Sequence, residues 1–189
     1  MKTHIFPAIR LTAICFIFFC GLYTLIVWGF AQLVPNKGKG ETFTANNKTY
    51  YTNIAQKFNQ DKYFWSRPSA VDYNAAGAGG SNKGPSNPDY LAQVQARIDS
   101  FMVHNPGIKK ADIPADIVTA SGSGLDPDIS IQAAKAQAQR IASIRQIPVT
   151  AIEEVITKNT KQPLLGLFGP ASINVLQLNL ALDALANNK

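Results

Sequence analysis

Hydrophobic and polar positions are unevenly spread along this chain. Residues Leu11 to Val34 carry no charged side chain. As a helix rising 1.5 Å per residue, that run reaches ~36 Å, enough to cross a bilayer core of ~30 Å. It predicts a transmembrane helix over 11–34, preceded by a short tail (1–10) and followed by a polar linker (35–41) that contains PNKGKG. A cleaved signal peptide is the alternative, because Gly29-Phe30-Ala31 has small-x-small spacing. The apolar run exceeds the ~7–15 residues usual for a signal, which favours a retained anchor. Cys20 does not suit a lipoprotein site, since Phe19 precedes it where a small residue is wanted.

Beyond the linker the patterns belong to a mixed domain over 42–189. Thr49 to Phe58 mixes aromatic and β-branched residues and predicts one or two strands. Leu91, Val94, Ile98, Phe101 and Met102 repeat with helical spacing behind Asn87 as cap and Pro88 in the first turn. Asn105-Pro106-Gly107 stops that helix. Ile117 to Ala120 predicts a short strand. A second helix, capped by Asp128 or Ser130, aligns Ala134, Ala138, Ile141 and Ile144. A third begins near Thr150, where Thr150 and Glu153 have capping-box spacing and Ile152, Val155 and Ile156 make the apolar face. Leu176, Leu178, Leu180 and Leu182 alternate as in a strand, while Asn174 as cap favours a helix. The fold class expected is α+β: one N-terminal transmembrane helix followed by a small mixed extracytoplasmic domain.

On one face of the anchor Ala13, Cys20, Thr24 and Ala31 fall near one line at ~100° per residue, a small-residue stripe that another helix could approach. Charge does not orient the span by count: Lys2 and Arg10 precede it, and Lys37, Lys39 and Lys48 follow. The free amino group adds a charge to the short side, and long domains translocate largely regardless of charge. The expected topology is therefore a cytoplasmic N-terminus and an exported domain. Both cysteines, Cys15 and Cys20, lie within the apolar run, so no disulfide frame exists in the domain.

The chain has 189 residues, 18 Lys+Arg against 12 Asp+Glu, and 16% charged residues, below the usual ~25%. The basic residues are scattered, which argues against a nucleic-acid partner. No catalytic or metal motif passes. His104 is the one histidine outside the N-terminal tail, and no nucleophile is paired with it in the sequence. Asp126 and Asp128 lack the closing Glu of a calcium loop and suit helix capping better. Gly79 and Gly84 have phosphate-loop spacing, but Pro85 stands where Lys is required. Gly122-Ser123-Gly124 lacks the spacing of a nucleophile elbow. What remains are an aromatic cluster, Tyr63-Phe64-Trp65 with Arg67, and two turn-rich loops, around Gly79-Gly80-Ser81-Asn82 and around Ser123-Gly124 with Asp126. All are candidate contact surfaces on a fixed scaffold.

Taken in order, several strings resemble one family. They are Tyr63 to Ala70 (YFWSRPSA), Tyr73-Asn74, Gly79 to Asn82, Ser86-Asn87-Pro88, Val118 to Ser121, Ser123 to Pro127, and Asn174 to Asp183 (NVLQLNLALD). This set is similar to the KdpC family, the C subunit of the Kdp-type potassium-transporting ATPase. Asp128 stands where the family commonly has His, and Ile131 where Pro often follows the Ser.

The resemblance implies a non-catalytic accessory subunit of a high-affinity, ATP-driven potassium uptake complex in the bacterial inner membrane. Its partners would be a channel-like potassium-translocating subunit, a P-type ATPase subunit and a small membrane subunit. It would serve assembly and act as a catalytic chaperone that raises the ATPase subunit's affinity for ATP. ATP is expected at the level of the complex, with no cofactor assigned to this chain. A free-standing, membrane-anchored extracytoplasmic binding module is the alternative.

Overall fold

The computed structural model describes residues 2–45 and 47–187. The outermost residues assigned to the tail (1) and the domain (188–189) lie outside these. The chain forms two compact units, one ending at Thr42 and one beginning at Phe43.

The first unit is a single rod. Helix α1 (Lys2–Phe16) runs into a π-helical segment (Ile17–Tyr23) and then α2 (Thr24–Ala31). From His4 to Ala31 it is long and apolar enough to cross a membrane. The helix begins earlier and ends earlier than the 11–34 expected. Gln32 N–H still bonds to Trp28 O (3.2 Å), but the chain then turns, with Lys37 N–H on Val34 O at 2.9 Å. The π segment also alters the expected stripe. Bonds of the i→i+5 type put more residues in each turn, so rotation per residue falls below the α-helical value. Thr24 and Ala31 share a face within α2, but Ala13, on the far side of the segment, leaves their line. Cys20 lies inside the segment, and Thr24 Oγ1 donates to Phe19 O at 3.0 Å.

The second unit, the head, opens with a two-stranded sheet of β1 (Thr42–Ala45) and β2 (Lys48–Tyr51), on which Phe43 and Tyr50 stack at 5.7 Å. The strand reading of 49–58 is met only as far as Tyr51. Helix α3 (Pro88–His104) starts as predicted: Asn87 Oδ1 accepts from Tyr90 N–H at 3.0 Å. Of its apolar repeat, Phe101 is buried, while Leu91 and Met102 are exposed.

No strand forms at Ile117–Ala120. Two 3₁₀ turns occupy Lys110–Asp112 and Ala115–Ile117. The N–H groups of Val118 and Thr119 return to Ala115 O (3.2 and 2.9 Å), which leaves no edge for pairing. Ile117 and Val118 are apolar there because they are buried, not because they pair.

After β3 (Asp128–Ile129), Ser130 caps α4 (Ile131–Arg145), its Oγ accepting from Ala133 N–H at 3.0 Å. Asp128, the other predicted cap, sits in the strand. Helix α5 (Val149–Lys158) begins one residue before Thr150, so the Thr150–Glu153 capping box does not form. Instead the carbonyl of Pro148 takes the N–H groups of Ala151 and Ile152 at 3.0 and 3.4 Å. The last elements are β4 (Thr160–Lys161), β5 (Ser172–Asn174) and α6 (Val175–Asn187). Helix wins over strand in the leucine-rich tail. Asn174 Oδ1 accepts from Gln177 N–H at 3.1 Å, as an N-cap does.

The three strands make an antiparallel sheet in the order β3-β5-β4, with Ile129 opposite Ile173 and Thr160 opposite Ile173. The core packs the alanine-rich face of α4 (Ala133, Ala134, Ala138, Ile141) with Ile152 and Ile156 of α5, Leu178 and Leu182 of α6, and Phe64 and Phe101. Small side chains on α4 let its neighbours approach closely. Ile144, expected on this face, is exposed.

Candidate contact site of the head

The site is built around residues 61–67, an irregular segment with no ladder of its own. Buried backbone polar groups need partners, and here side chains from distant helices supply them. Phe64, fully buried, is clasped at both ends by one amide: its N–H donates to Asn179 Oδ1 (2.9 Å) and its carbonyl accepts from Asn179 Nδ2 (3.0 Å). Trp65 N–H donates to Gln137 Oε1 at 2.7 Å, and Gln137 Nε2 donates to Ala133 O at 3.0 Å. Arg140 Nη2 reaches both Tyr63 O (3.1 Å) and Gln137 Oε1 (2.7 Å). Ser66 Oγ donates to Gln56 O at 2.6 Å. Backbone carbonyls take only the N–H groups of Tyr63 (Gln60 O, 3.0 Å) and Ser66 (Phe58 O, 3.3 Å), and side chains hold the groups between them.

The aromatic rings take part in the same clamp. The Arg140 guanidinium lies 4.6 Å from the Trp65 ring centre and the Arg145 guanidinium 4.8 Å from that of Tyr63, both at cation–π distance. Tyr63 OH donates to Asp183 Oδ2 (3.1 Å), whose other oxygen takes Arg145 Nη2 at 2.7 Å. Trp65 packs edge-on against Phe101 and His104. The Asp61 carboxylate bridges His104 Nδ1 (2.9 Å) and Arg140 Nη1 (3.1 Å).

These contacts set the acid–base behaviour. Burial disfavours ionised Asp61, but the hydrogen bonds and charges of His104 and Arg140 outweigh it and hold the carboxyl below its ordinary value. Burial lowers the Arg140 pKa, opposed by Asp61. Burial, helped by Asp183, raises the Tyr63 phenol, and Arg145 acts against the rise. Tyr73 is pushed up to about 12, chiefly by burial and then by Asp72. Its hydroxyl donates to Arg67 O at 2.9 Å.

Arg67 links this segment to the second loop. Its Nη1 meets Asp126 Oδ2 at 2.8 Å and its Nε donates to Thr119 O at 3.2 Å. Asp126 Oδ1 accepts from Asp128 N–H at 3.1 Å, so Asp126 orders a loop instead of capping a helix. Asp128 Oδ2 accepts from Ser172 Oγ (2.9 Å), tying β3 to β5. Arg67, Asp116, Asp126 and Asp128 line an open cleft of ~430 Å³, where Asp116 accepts from both Ser130 N–H and Ser130 Oγ. Among the described residues no group of three or more His, Cys, Asp or Glu is placed to hold a metal ion.

The two glycine-rich loops meet each other. Gly79 N–H donates to Ser123 O at 2.8 Å. Gly124 has φ +67°, and a Cβ there would come within 2.7 Å of Val71 Cγ2 and 2.8 Å of Gly79 O. Only glycine fits that crossing. Ser123 Oγ accepts from Leu125 N–H at 3.1 Å. Gly80 lies against Gly122, whereas Ser81 and Asn82 are exposed, Asn82 at φ +54°.

Of the predicted contact residues in the head, then, Tyr63, Phe64, Trp65, Arg67 and Asp126 form one connected group and Gly79, Gly80, Ser123 and Gly124 another. Phe64 is core and offers nothing to a partner. Ala13, Cys20, Thr24 and Ala31 belong to the other unit. Sequence reasoning missed Asp61, Gln137, Arg140, Arg145, Asn179 and Asp183. A signal existed for three of them. Gln137 and Arg140 interrupt the apolar face of α4, and Asn179 interrupts the leucine run of α6.

The family model described as K+-transporting ATPase, c chain (KdpC), matches residues 5–184. The potassium-transporting ATPase KdpC subunit of Flavobacterium psychrophilum is 51% identical over 183 residues, covering 96% of this chain and 98% of the relative. That of Bacteroides fragilis is 47% identical, covering 99% and 100%. That of Caldanaerobacter subterraneus is 40% identical, covering 96% and 95%.

The chain belongs to the KdpC family.

Proposed function

We propose that this KdpC-family chain is a non-catalytic accessory subunit of the potassium-transporting ATPase, anchored by its one span. The head lies outside the bacterial inner membrane and the N-terminus in the cytoplasm. There it holds together the channel-like subunit, the P-type ATPase subunit and the small membrane subunit. One span cannot enclose a pore, whose filter needs a ring of carbonyls or charges.

The observation that carries this reading is how the titratable groups around residues 61–67 are used. Asp61, Arg140, Arg145 and Asp183 all bind backbone, ring or each other. A clamp of that kind makes a rigid body with a fixed surface, which suits a subunit that positions others. Raised ATP affinity in the ATPase subunit is then conveyed through the span and the subunit contacts. Pro85 stands where a phosphate loop needs lysine, so the loop at Gly79–Gly84 is not a phosphate loop.

The test purifies the complex through a tag on the ATPase subunit, with and without this chain, and runs both on blue-native gels. Migration of the chain with the other subunits, and a raised KM for ATP in its absence, are expected. A separate ~20 kDa species (the chain is 20.5 kDa) would favour the free-standing binding module.

A further inference from the structure

The loop between β4 and β5 is not used by anything described above. In Pro163–Pro170 (PLLGLFGP), Leu164, Leu165, Leu167 and Phe168 are 69, 81, 80 and 63% exposed. Elsewhere in the head the exposed large apolar residues are scattered: Tyr51, Leu91, Met102 with Val103, and Ile144. The loop is nonetheless ordered. Leu164 and Phe168 exchange both backbone bonds at 3.0 Å, Leu167 N–H donates to Leu164 O (3.1 Å) and Gly166 N–H to Pro163 O (2.9 Å). At the turn Leu165 has φ +55° and Gly166 φ +72°. A turn with two left-handed residues favours Asn or Gly at the first, and a leucine there is strained. The side chain at 165 is therefore not explained by the turn.

We propose that this hairpin is a lipid-contacting tip, which enters the interfacial layer of the bilayer that the anchor spans. The inference rests on the anchored reading above. Four properties favour lipid over a protein partner. First, the N–H groups of Leu164, Gly166, Leu167 and Phe168 bond within the hairpin, which lowers the cost of moving them out of bulk water. Second, the four exposed side chains at 164, 165, 167 and 168 are all hydrocarbon, with no polar group among them for the hydrogen bonds a protein interface carries. Third, between Thr160 and Leu182 the only charged residue is Lys161. Lys161 and Lys158 remain exposed near the base (52 and 77% for their side chains), though 4.0 and 3.8 Å from Asp128 and Glu154. Cations behind an apolar tip complement anionic headgroups. Fourth, the eleven residues from Gln32 to Thr42 reach at most ~40 Å, which bounds the length of the tether between anchor and head.

The test uses the full chain with Cys15→Ala and Cys20→Ala, reconstituted alone into phosphatidylethanolamine–phosphatidylglycerol vesicles. An environment-sensitive fluorophore is placed at Leu167→Cys or, as a water-exposed reference, at Glu154→Cys on α5. Both positions are exposed, so neither label displaces core packing. The Leu167 label is expected to be blue-shifted, quenched by doxyl-labelled lipid, and several-fold less quenched than the Glu154 label by iodide on both sides of the membrane. Equal iodide quenching at the two positions, in a chain that resists carbonate extraction, overturns the lipid tip and leaves the anchor standing. Release of the chain by carbonate overturns the anchor and the tip with it. Shielding of Leu167 that appears only when the other ATPase subunits are added overturns the lipid assignment in favour of a protein surface.

Discussion

Residues 63–65 and 164–168 are two dense runs of large apolar side chains in the head. Phe64 is fully buried, while Leu165 and Leu167 are about four-fifths exposed. Their backbones explain the difference. Apart from Tyr63 N–H on Gln60 O, the first run borrows its backbone hydrogen bonds from Asn179, Gln137 and Arg140, which draw it into the core. The second closes on itself as a hairpin and requires nothing from the rest of the fold. Hydrophobicity decides that a run seeks an apolar environment. The partners of its backbone decide whether that environment lies inside the molecule.

Substitutions can break this contrast, beginning at Phe64. Phe64→Ala leaves a cavity in the core and is expected to lower the stability of the head by about 3–5 kcal/mol, read as a shift in its denaturant midpoint in the detergent-solubilised chain. Asn179→Ala removes no large apolar group but strands both backbone groups of Phe64. At roughly 1–3 kcal/mol for each buried group left unpaired, a loss of about 2–6 kcal/mol is expected. A loss near zero would mean that the clasp does not hold the segment.

The Asp61 bridge should show as pH dependence. Its carboxyl titrates below the ordinary value of 3.8 in the folded head. Its contribution is therefore present in full above that value and is lost as the pH falls through the lower folded value. The midpoint difference between the parent chain and Asp61→Asn should shrink in acid below about pH 4. A difference that persists undiminished at the lowest accessible pH would count against an ionised bridge. At the other end of the comparison, Leu167→Ser touches no core residue and should change stability by no more than about 0.5 kcal/mol. A larger change would show that the tip packs on the head.

Much of the architecture was legible in the chain because local signals agreed with the final packing. The apolar rod, the Asn87 and Ser130 caps and the stop at Asn105-Pro106-Gly107 all belong to this class. The errors arose where tertiary contacts override local ones. Ile117 and Val118 look like a strand because they are apolar, yet they are buried beside a turn. Thr150 and Glu153 have capping spacing, yet Pro148 already fixes the start of α5. In the contact site the aromatic cluster was visible, but its clamp was not. Asp61, Gln137, Arg140 and Asn179 come from segments far apart in sequence, and no spacing rule joins them. Family resemblance supplied the functional reading that motifs could not, because the residues of this site bind backbone, rings and one another and match no catalytic or metal motif.

The most direct measurement of the accessory role is potassium-stimulated ATP hydrolysis by the remaining subunits, purified from cells that lack this chain and again after the chain is restored. Hydrolysis coupled to potassium should be lost or strongly weakened without the chain and recovered with it. Full potassium-stimulated activity in its absence would contradict the role assigned here.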